Sequence, residues 1–208
     1  MAVTMSLRER KQRRTRDAIV AAAMTLFAES GFDGVTVDQI AARAEVGRTT
    51  FFRYFRDKQE VLFADDGELL DVLVTELDTA AKRHGPIGAN LAVATEITRT
   101  GIRALASSVE QHSGWLVLRE RLLRENPALM ARQLLKERRY VHASCEVLQR
   151  NGADADTAIL AASLAAACYG AASSVIAAGG ADGTRGGLSG LADAVDATFD
   201  RLDELNSS

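Results

Sequence analysis

The sequence predicts an all-α fold of about nine helices. Apolar residues recur at three- and four-residue spacing along most of the chain, and no stretch of useful length alternates as a strand would. Only two of the 208 residues are proline, and Ala, Leu, Arg and Glu are abundant. With 47% hydrophobic and 25% charged residues, the composition is that of an ordinary globular protein of one or two domains.

Charge separates two predicted domains, residues 1–58 and residues 59–208. The first carries 11 Lys and Arg against 7 Asp and Glu, and the second carries 14 against 21. The net charge of −3 for the whole chain hides this asymmetry. A basic segment joined to an acidic remainder indicates two functions, one of which involves a polyanion.

The N-terminal domain begins with a basic segment and a helix. Residues 1–14 lack apolar periodicity and are expected to be disordered in isolation. Ile19, Ala23 and Phe27 then lie on one face of a helix, which ends at Gly31 because glycine readily adopts the left-handed conformation.

Two short helices follow. Thr36 and Gln39 form a capping-box pattern that opens a helix to about Ala44. After a three-residue turn, another helix is predicted from about Arg48 to Phe55. A second capping pattern at Asp57 then opens a long helix to about Lys82.

The remainder is helical by the same criterion, with predicted helices near 87–110, 115–124, 129–150, 154–178 and 188–205. The segment from Ala158 is apolar enough to suggest a membrane span, but it is rich in Ala, Ser and Gly, which favours a packed soluble helix. No signal peptide is visible, so a cytoplasmic protein without a membrane is expected. Cys145 and Cys168 have no metal-ligand spacing and are expected to be reduced and buried.

Two short helices joined by a tight turn form a helix-turn-helix pattern, which places its second helix in the DNA major groove. Arg48, Thr49 and Thr50 would face base edges, because Arg suits guanine acceptors and Thr offers a hydroxyl and a methyl group. Thr36 and Lys58 would reach phosphates.

The stretch FFRYF, residues 51–55, holds four of the eleven aromatic residues. At 100° per residue, Phe51 and Phe55 share a face, and they are predicted to form a small core with Leu26, Phe27 and Ile40. Phe52 and Tyr54 fall to the sides of that face and are candidates for DNA contact.

The segment TLFAESGFDGVTVDQIAARAEVGRTTFFRYFRDKQEVL resembles the DNA-binding region of the tetracycline-repressor (TetR) family. The shared pattern covers residues 10–63 and includes the following positions: Gly31, Phe32, Thr36, Ile40, Ala41, Ala44, Val46, Thr50, Phe52, Tyr54, Phe55, Lys58 and Leu62. The resemblance implies DNA contacts for Thr36, Arg48, Thr49, Thr50, Phe52, Tyr54 and Lys58. The sequence departs from the family at Glu45, where Gly is frequent, at Gly47, where Ser usually caps, at Phe52, where Tyr is common, and at Tyr54, where His is frequent.

The basic tail has two interpretations. Arg13, Arg14 and their neighbours would form a minor-groove arm or a phosphate clamp, or else a disordered solubilising tail.

For the acidic remainder, the resemblance implies a helical ligand-binding domain whose last two helices pair with a second copy in a four-helix bundle. Two-fold symmetry would match a palindromic operator in double-stranded DNA. Candidate effector contacts are Trp115, Arg119, Tyr140, Cys168 and Tyr169, although ordinary packing explains each of them as well. The segment ENPALMARQLLKERR resembles the mycofactocin-regulator-like branch, which is associated with acyl-thioester ligands.

The helix-turn-helix pattern predicts a DNA-binding protein, and the resemblance implies a ligand-responsive homodimeric transcriptional regulator, with repression as the family-level expectation. Its effector would be a small, mainly apolar molecule such as an acyl thioester or a drug-like compound. An enzyme is the main alternative, but the three His residues show no catalytic or metal spacing, and neither a cofactor nor a metal is expected. A helical scaffold without DNA binding is the other alternative.

Overall fold

The computed structural model describes residues 6–112, 115–182 and 190–206, and these ranges contain ten α-helices and no strand. The chain divides into two compact units, Met1–Asp65 and Asp66–Ser208. Unit 1 holds α1 (Leu7–Ser30), α2 (Val37–Arg43), α3 (Arg48–Tyr54) and α4 (Lys58–Val61). Unit 2 holds α5 (Asp66–His84), α6 (Leu91–His112), α7 (Leu116–Glu125), α8 (Pro127–Arg150), α9 (Ala155–Asp182) and α10 (Leu191–Asn206). The predicted all-α fold is confirmed.

The first helix starts earlier than the sequence analysis expects. Ser6 Oγ accepts a hydrogen bond from the Glu9 amide at 3.2 Å, and the Glu9 carboxylate accepts one from the Ser6 amide at 2.7 Å. This capping box satisfies two backbone donors that a helix start otherwise leaves open. The expectation of disorder is therefore wrong for residues 7–14, which form the exposed first turns of α1.

The predicted long helix from Asp57 is also wrong, because the chain breaks between α4 and α5. Val61, Leu62 and Phe63 are all buried, each at most 7% exposed. Successive residues of one continuous helix point 100° apart, so three in a row cannot share a single buried face. The chain turns at residues 62–65 instead, and the break raises the helix count from about nine to ten.

Unit 1 is built around a small aromatic core. Phe27, Ile40, Phe51 and Phe55 are all at most 3% exposed, as the sequence predicts, whereas Leu26 is only partly buried. The Phe51 and Phe55 rings lie 5.8 Å apart. Because α2 and α3 have seven residues each, they depend on this shared core rather than on their own propensity.

Unit 2 is centred on α9, which packs against α6, α7, α8 and α10. Ala155–Gly179 has the length and apolar composition of a membrane span. Its buried side packs in the core of unit 2 and is lined by small residues such as Ala158, Ala161 and Ala165.

Helices α5 and α6 approach closely at Gly101. A Cβ atom at this position would lie 2.7 Å from the side chain of Leu77. Glycine therefore permits this contact, which helps to hold α5 against α6 in the core of unit 2.

Candidate nucleic-acid interface and effector site

Helices α2 and α3 form the predicted helix-turn-helix. Thr36 caps α2, accepting from the Gln39 amide at 3.3 Å while its own hydroxyl donates to Gln39 Oε1 at 2.9 Å. The predicted capping box is present, and it also occupies the Thr36 hydroxyl proton, which the sequence analysis assigns to a phosphate.

The turn between α2 and α3 contains one residue in the left-handed backbone conformation. Glu45 has a φ of 54°, the one positive value at a non-glycine position in the part of the chain that the structure describes. Residues with a Cβ adopt this region unfavourably. The strain explains why Gly is frequent at this position in the family that the sequence resembles.

Helix α3 presents two faces. Phe51 is fully buried, whereas Arg48, Thr49 and Phe52 are exposed, Phe52 to 44%. Thr50 and Tyr54 are half-buried at the sides. The predicted sorting of the aromatic residues into core and surface is confirmed.

Arg48 has two neighbours on this surface. Its Nη1 forms an ion pair with the carboxylate of Asp38 on α2, and its guanidinium lies over the Phe52 ring, 5.3 Å from the centroid. Together these contacts constrain an otherwise flexible side chain that is 61% exposed. Sequence reasoning missed Asp38, since nothing local connects it to a residue ten positions away.

Lys58 lies inside unit 1 more than the sequence analysis expects. Its ammonium donates to the carbonyl oxygens of Phe32 at 2.8 Å and Val35 at 2.9 Å, and lies 4.4 Å from the Phe32 ring centroid. Since an ammonium has three donors, two of them hold the loop between α1 and α2, and the two carbonyl contacts do not use the third.

The basic residues of α1 separate into two groups. Arg13 and Arg14 are exposed on the helix surface, so a clamp formed by them would be helical rather than an extended arm. Arg16 instead points inward, where it donates to the Ala64 carbonyl oxygen and lies over the Phe55 ring at 5.9 Å. Arg16 therefore closes the end of unit 1.

Comparison with known proteins shows which family unit 1 resembles. Residues 19–64 match the family model described as "Bacterial regulatory proteins, tetR family". The similarity to the tetR family is therefore shown for this segment, which contains the helix-turn-helix. Its curated relatives include the HTH-type transcriptional regulator TcmR of Streptomyces glaucescens, 37% identical over 83 residues, which are 40% of this chain and 37% of that protein. The match thus spans well under half of that relative's length.

Two solved structures of regulators share the fold over nearly the whole chain. The fatty acid degradation regulator FadR from Bacillus halodurans has a TM-score of 0.60 at 17% identity, covering 90% of this chain and 94% of that chain. A TetR-family regulator from Mesorhizobium loti has a TM-score of 0.55 at 17% identity, covering 93% of this chain and 97% of that chain.

In unit 2, three of the five predicted effector contacts are linked electrostatically. Arg119 on α7 and Tyr169 on α9 influence the pKa of the Tyr140 phenol on α8, and Arg119 also influences the pKa of the Tyr169 phenol. Burial raises the pKa of both tyrosines, so both phenols are protonated hydrogen-bond donors at neutral pH.

The other two predicted effector contacts, Cys168 and Trp115, have different surroundings. Cys168 faces α10, where its carbonyl oxygen accepts from the Thr198 hydroxyl at 3.3 Å, and burial raises the pKa of its thiol. Trp115 is the partly buried N-cap of α7, one turn before Arg119.

The structure adds residues that the sequence analysis missed. Arg119 Nη2 donates to Gln133 Oε1 at 2.6 Å, and burial raises the pKa of the neighbouring Glu120 carboxyl. Lys136 forms an ion pair with Asp66 at 2.7 Å, and burial lowers the pKa of that ammonium. The sequence signal for such residues is a polar side chain within the apolar face of a helix, but the sequence does not show which helices face each other.

Proposed function

We propose that this chain is a DNA-binding transcriptional regulator, a repressor that acts as a homodimer and leaves its operator when a small molecule binds unit 2. The observation that carries the proposal is the exposed, preorganised Arg48 at the start of α3, in a capped helix-turn-helix that matches the tetR family. Such a regulator acts in the cytoplasm and performs no catalytic step.

The proposed DNA contacts follow from the faces of α3. Arg48 would donate to guanine acceptors, with Thr49 and Thr50 beside it on the same groove-facing end. Phe52 and Tyr54 would lie against the sugar–phosphate backbone. Phosphate contacts are assigned to Lys58, through its remaining donor, to the N-terminal end of α2 at Thr36, and to Arg13 and Arg14 on α1.

A homodimer would form through α9 and α10. The outward face of α9 carries exposed Ile159, Leu160 and Val175, separated by small residues. A Cβ atom added to Gly170 on this face would meet no heavy atom within 4 Å, which leaves room for close approach of a second helix. A two-fold dimer would present two α3 helices to the half-sites of a palindrome.

Release from DNA would be a population shift. The peptide bond between Asp65 and Asp66 joins the two units, and α5 begins at that point. An effector that binds better to a state in which α5 is displaced would favour that state, and DNA binding would weaken by the same coupling.

Mobility shift with the DNA upstream of the chain's own gene tests the proposal. Wild-type protein should retain this DNA at low salt, and Arg48→Ala should lose the preference for it over unrelated DNA. Arg138→Ala, which removes an exposed arginine of unit 2, is the matched control and should behave as wild type. The proposal fails if folded wild-type protein retains neither the upstream DNA nor random duplexes at low salt.

A further inference from the structure

Polar side chains from three helices of unit 2 gather where α7, α8 and α9 meet. The group consists of Arg119, Glu120, Gln133, Lys136, Tyr140, Tyr169 and Ser173. A helical core excludes charged and hydroxyl groups unless their hydrogen bonds are satisfied or they serve a ligand.

Ser173 is the member that points to a ligand. It is 4% exposed, and its Oγ makes no hydrogen bond of standard geometry with the described residues. It nevertheless lies close enough to the Tyr169 hydroxyl, one helical turn earlier on α9, to lower the pKa of that phenol. A buried hydroxyl without a well-formed hydrogen bond is unfavourable for folding, and an acceptor on a ligand would satisfy it.

Donors and carboxylates both lie around Ser173. Arg119 and Tyr169 supply donors, and Gln133 holds one end of the Arg119 guanidinium. The carboxylates of Glu120 and Glu137 also act on Tyr169 and raise the pKa of its phenol. The Tyr169 phenol keeps its proton because burial raises its pKa. Arg119, Tyr169 and Ser173 each offer a hydrogen-bond donor, which favours an acceptor oxygen in a ligand that reaches them.

We propose that Arg119, Tyr169 and Ser173 form the polar end of the effector site and that it binds a small organic molecule through a carboxylate or carbonyl oxygen. This inference rests on the proposed function, because the bound molecule is the effector. It narrows that effector from a mainly apolar compound to one that presents an oxygen acceptor at one end.

The same group of side chains is connected to the start of α5. Tyr140 donates its hydroxyl to the Asp66 carbonyl oxygen at 3.0 Å, and the carboxylate of Asp66 pairs with Lys136. The side chains of Lys136 and Asp66 are only 17% and 14% exposed, so this pair is less screened by solvent than a surface pair. Arg119 influences the pKa of the Tyr140 phenol, so a ligand that engages Arg119 would change the electrostatic environment of a residue that holds the first turn of α5.

Thermal shift and fluorescence of the single Trp, Trp115, test the site in the full-length chain. The probes are a set of aliphatic and aromatic carboxylates and ketones, each paired with the hydrocarbon of the same skeleton. At least one oxygen-bearing probe should raise the melting temperature and change Trp115 fluorescence, and its hydrocarbon partner should do neither.

Ser173→Ala and Tyr169→Phe each remove one hydroxyl and keep the helix intact. Each should weaken binding of that probe roughly three- to tenfold, the loss of one hydrogen bond. Ser174→Ala is the matched control, because Ser174 is exposed and its hydroxyl already bonds the Gly170 carbonyl oxygen at 2.9 Å. It should bind the probe as wild type does.

The inference is overturned if hydrocarbons bind as well as their oxygen-bearing partners, if no oxygen-bearing probe binds, or if Ser173→Ala and Tyr169→Phe both bind the probe unchanged. Mobility shift on the same variants separates this failure from failure of the proposed function. If all variants still retain the upstream DNA, the regulator proposal is supported and only the assignment of the ligand is rejected.

Discussion

Asp38 should contribute to operator specificity without touching a base. Its carboxylate holds Nη1 of Arg48, while the Phe52 ring supports the guanidinium from one side at 5.3 Å. Asp38→Asn removes the charge of the carboxylate and keeps its size. The freed Arg48 side chain then samples more rotamers and must be ordered again when it meets a guanine.

The energies of the ion pair and of the Arg–guanine contact show whether Asp38→Asn changes folding stability or DNA specificity. Both side chains are more than 60% exposed, so the ion pair contributes only about 0.2–1 kcal/mol to folding. An Arg–guanine contact discriminates by about 1–3 kcal/mol. Losing the orientation of Arg48 should therefore reduce specificity by up to about 1 kcal/mol, roughly fivefold, with little effect on stability. Affinity for random DNA should rise, because one negative charge near the phosphates is gone.

Fluorescence anisotropy measures this effect with two duplexes, one selected by the wild-type protein from a random pool and one scrambled. The ratio of the two dissociation constants should fall in Asp38→Asn. Asp33→Asn is the matched control, because it removes the same charge from an exposed position of unit 1 that does not contact Arg48. It should raise affinity for both duplexes and keep their ratio.

A double variant tests whether Asp38 acts on specificity through Arg48. In an Arg48→Ala background, Asp38→Asn should no longer change the ratio, because the side chain that it positions is absent. Equal losses of specificity in the presence and absence of Arg48 would show that Asp38 acts through another contact. Equal ratios for Asp38→Asn and Asp33→Asn would show that the effect is charge alone.

Three further variants test the fold and the assembly. Phe55→Ala should destabilise unit 1 by about 3–5 kcal/mol because the ring is buried, measured as a shift of the urea midpoint, whereas the exposed Phe52→Ala should change it by less than about 1 kcal/mol; similar shifts would contradict the assignment of faces. Glu45→Gly should stabilise the chain by about 0.5–1 kcal/mol, because glycine adopts the positive φ without strain. The larger conformational entropy of glycine in the unfolded chain offsets part of this gain. Glu45→Ala lacks that relief, so an equal gain from it would exclude strain as the cause. Gly170→Arg should convert the proposed dimer to a monomer in analytical ultracentrifugation, whereas Ala92→Arg, at an exposed site of α6, is the control and should remain a dimer. A dimer in both variants would exclude this face of α9 as the interface.

Local signals explain why the helix-turn-helix was predictable. The Thr36–Gln39 capping box and the 3.6-residue period each lie within a few positions of the sequence, and the structure contains both. The Ser6–Glu9 pair follows the same capping pattern, so the start of α1 was also readable from the sequence. The break after α4 was not, because the burial of Leu62 and Phe63 depends on what packs above them.

The sequence by itself determined the helical class, the bounds of α2 and α3, and which aromatic residues of FFRYF are buried. These properties depend on backbone hydrogen bonds and on side-chain angles within one helix, so neighbours in sequence suffice to specify them. Only the tertiary structure decided that Lys58 bonds the Phe32 carbonyl, 26 residues away, and that Tyr140 bonds Asp66, 74 residues away. Such partners are chosen by how helices pack against one another, and a one-dimensional pattern does not encode which polar groups that packing brings within 3 Å.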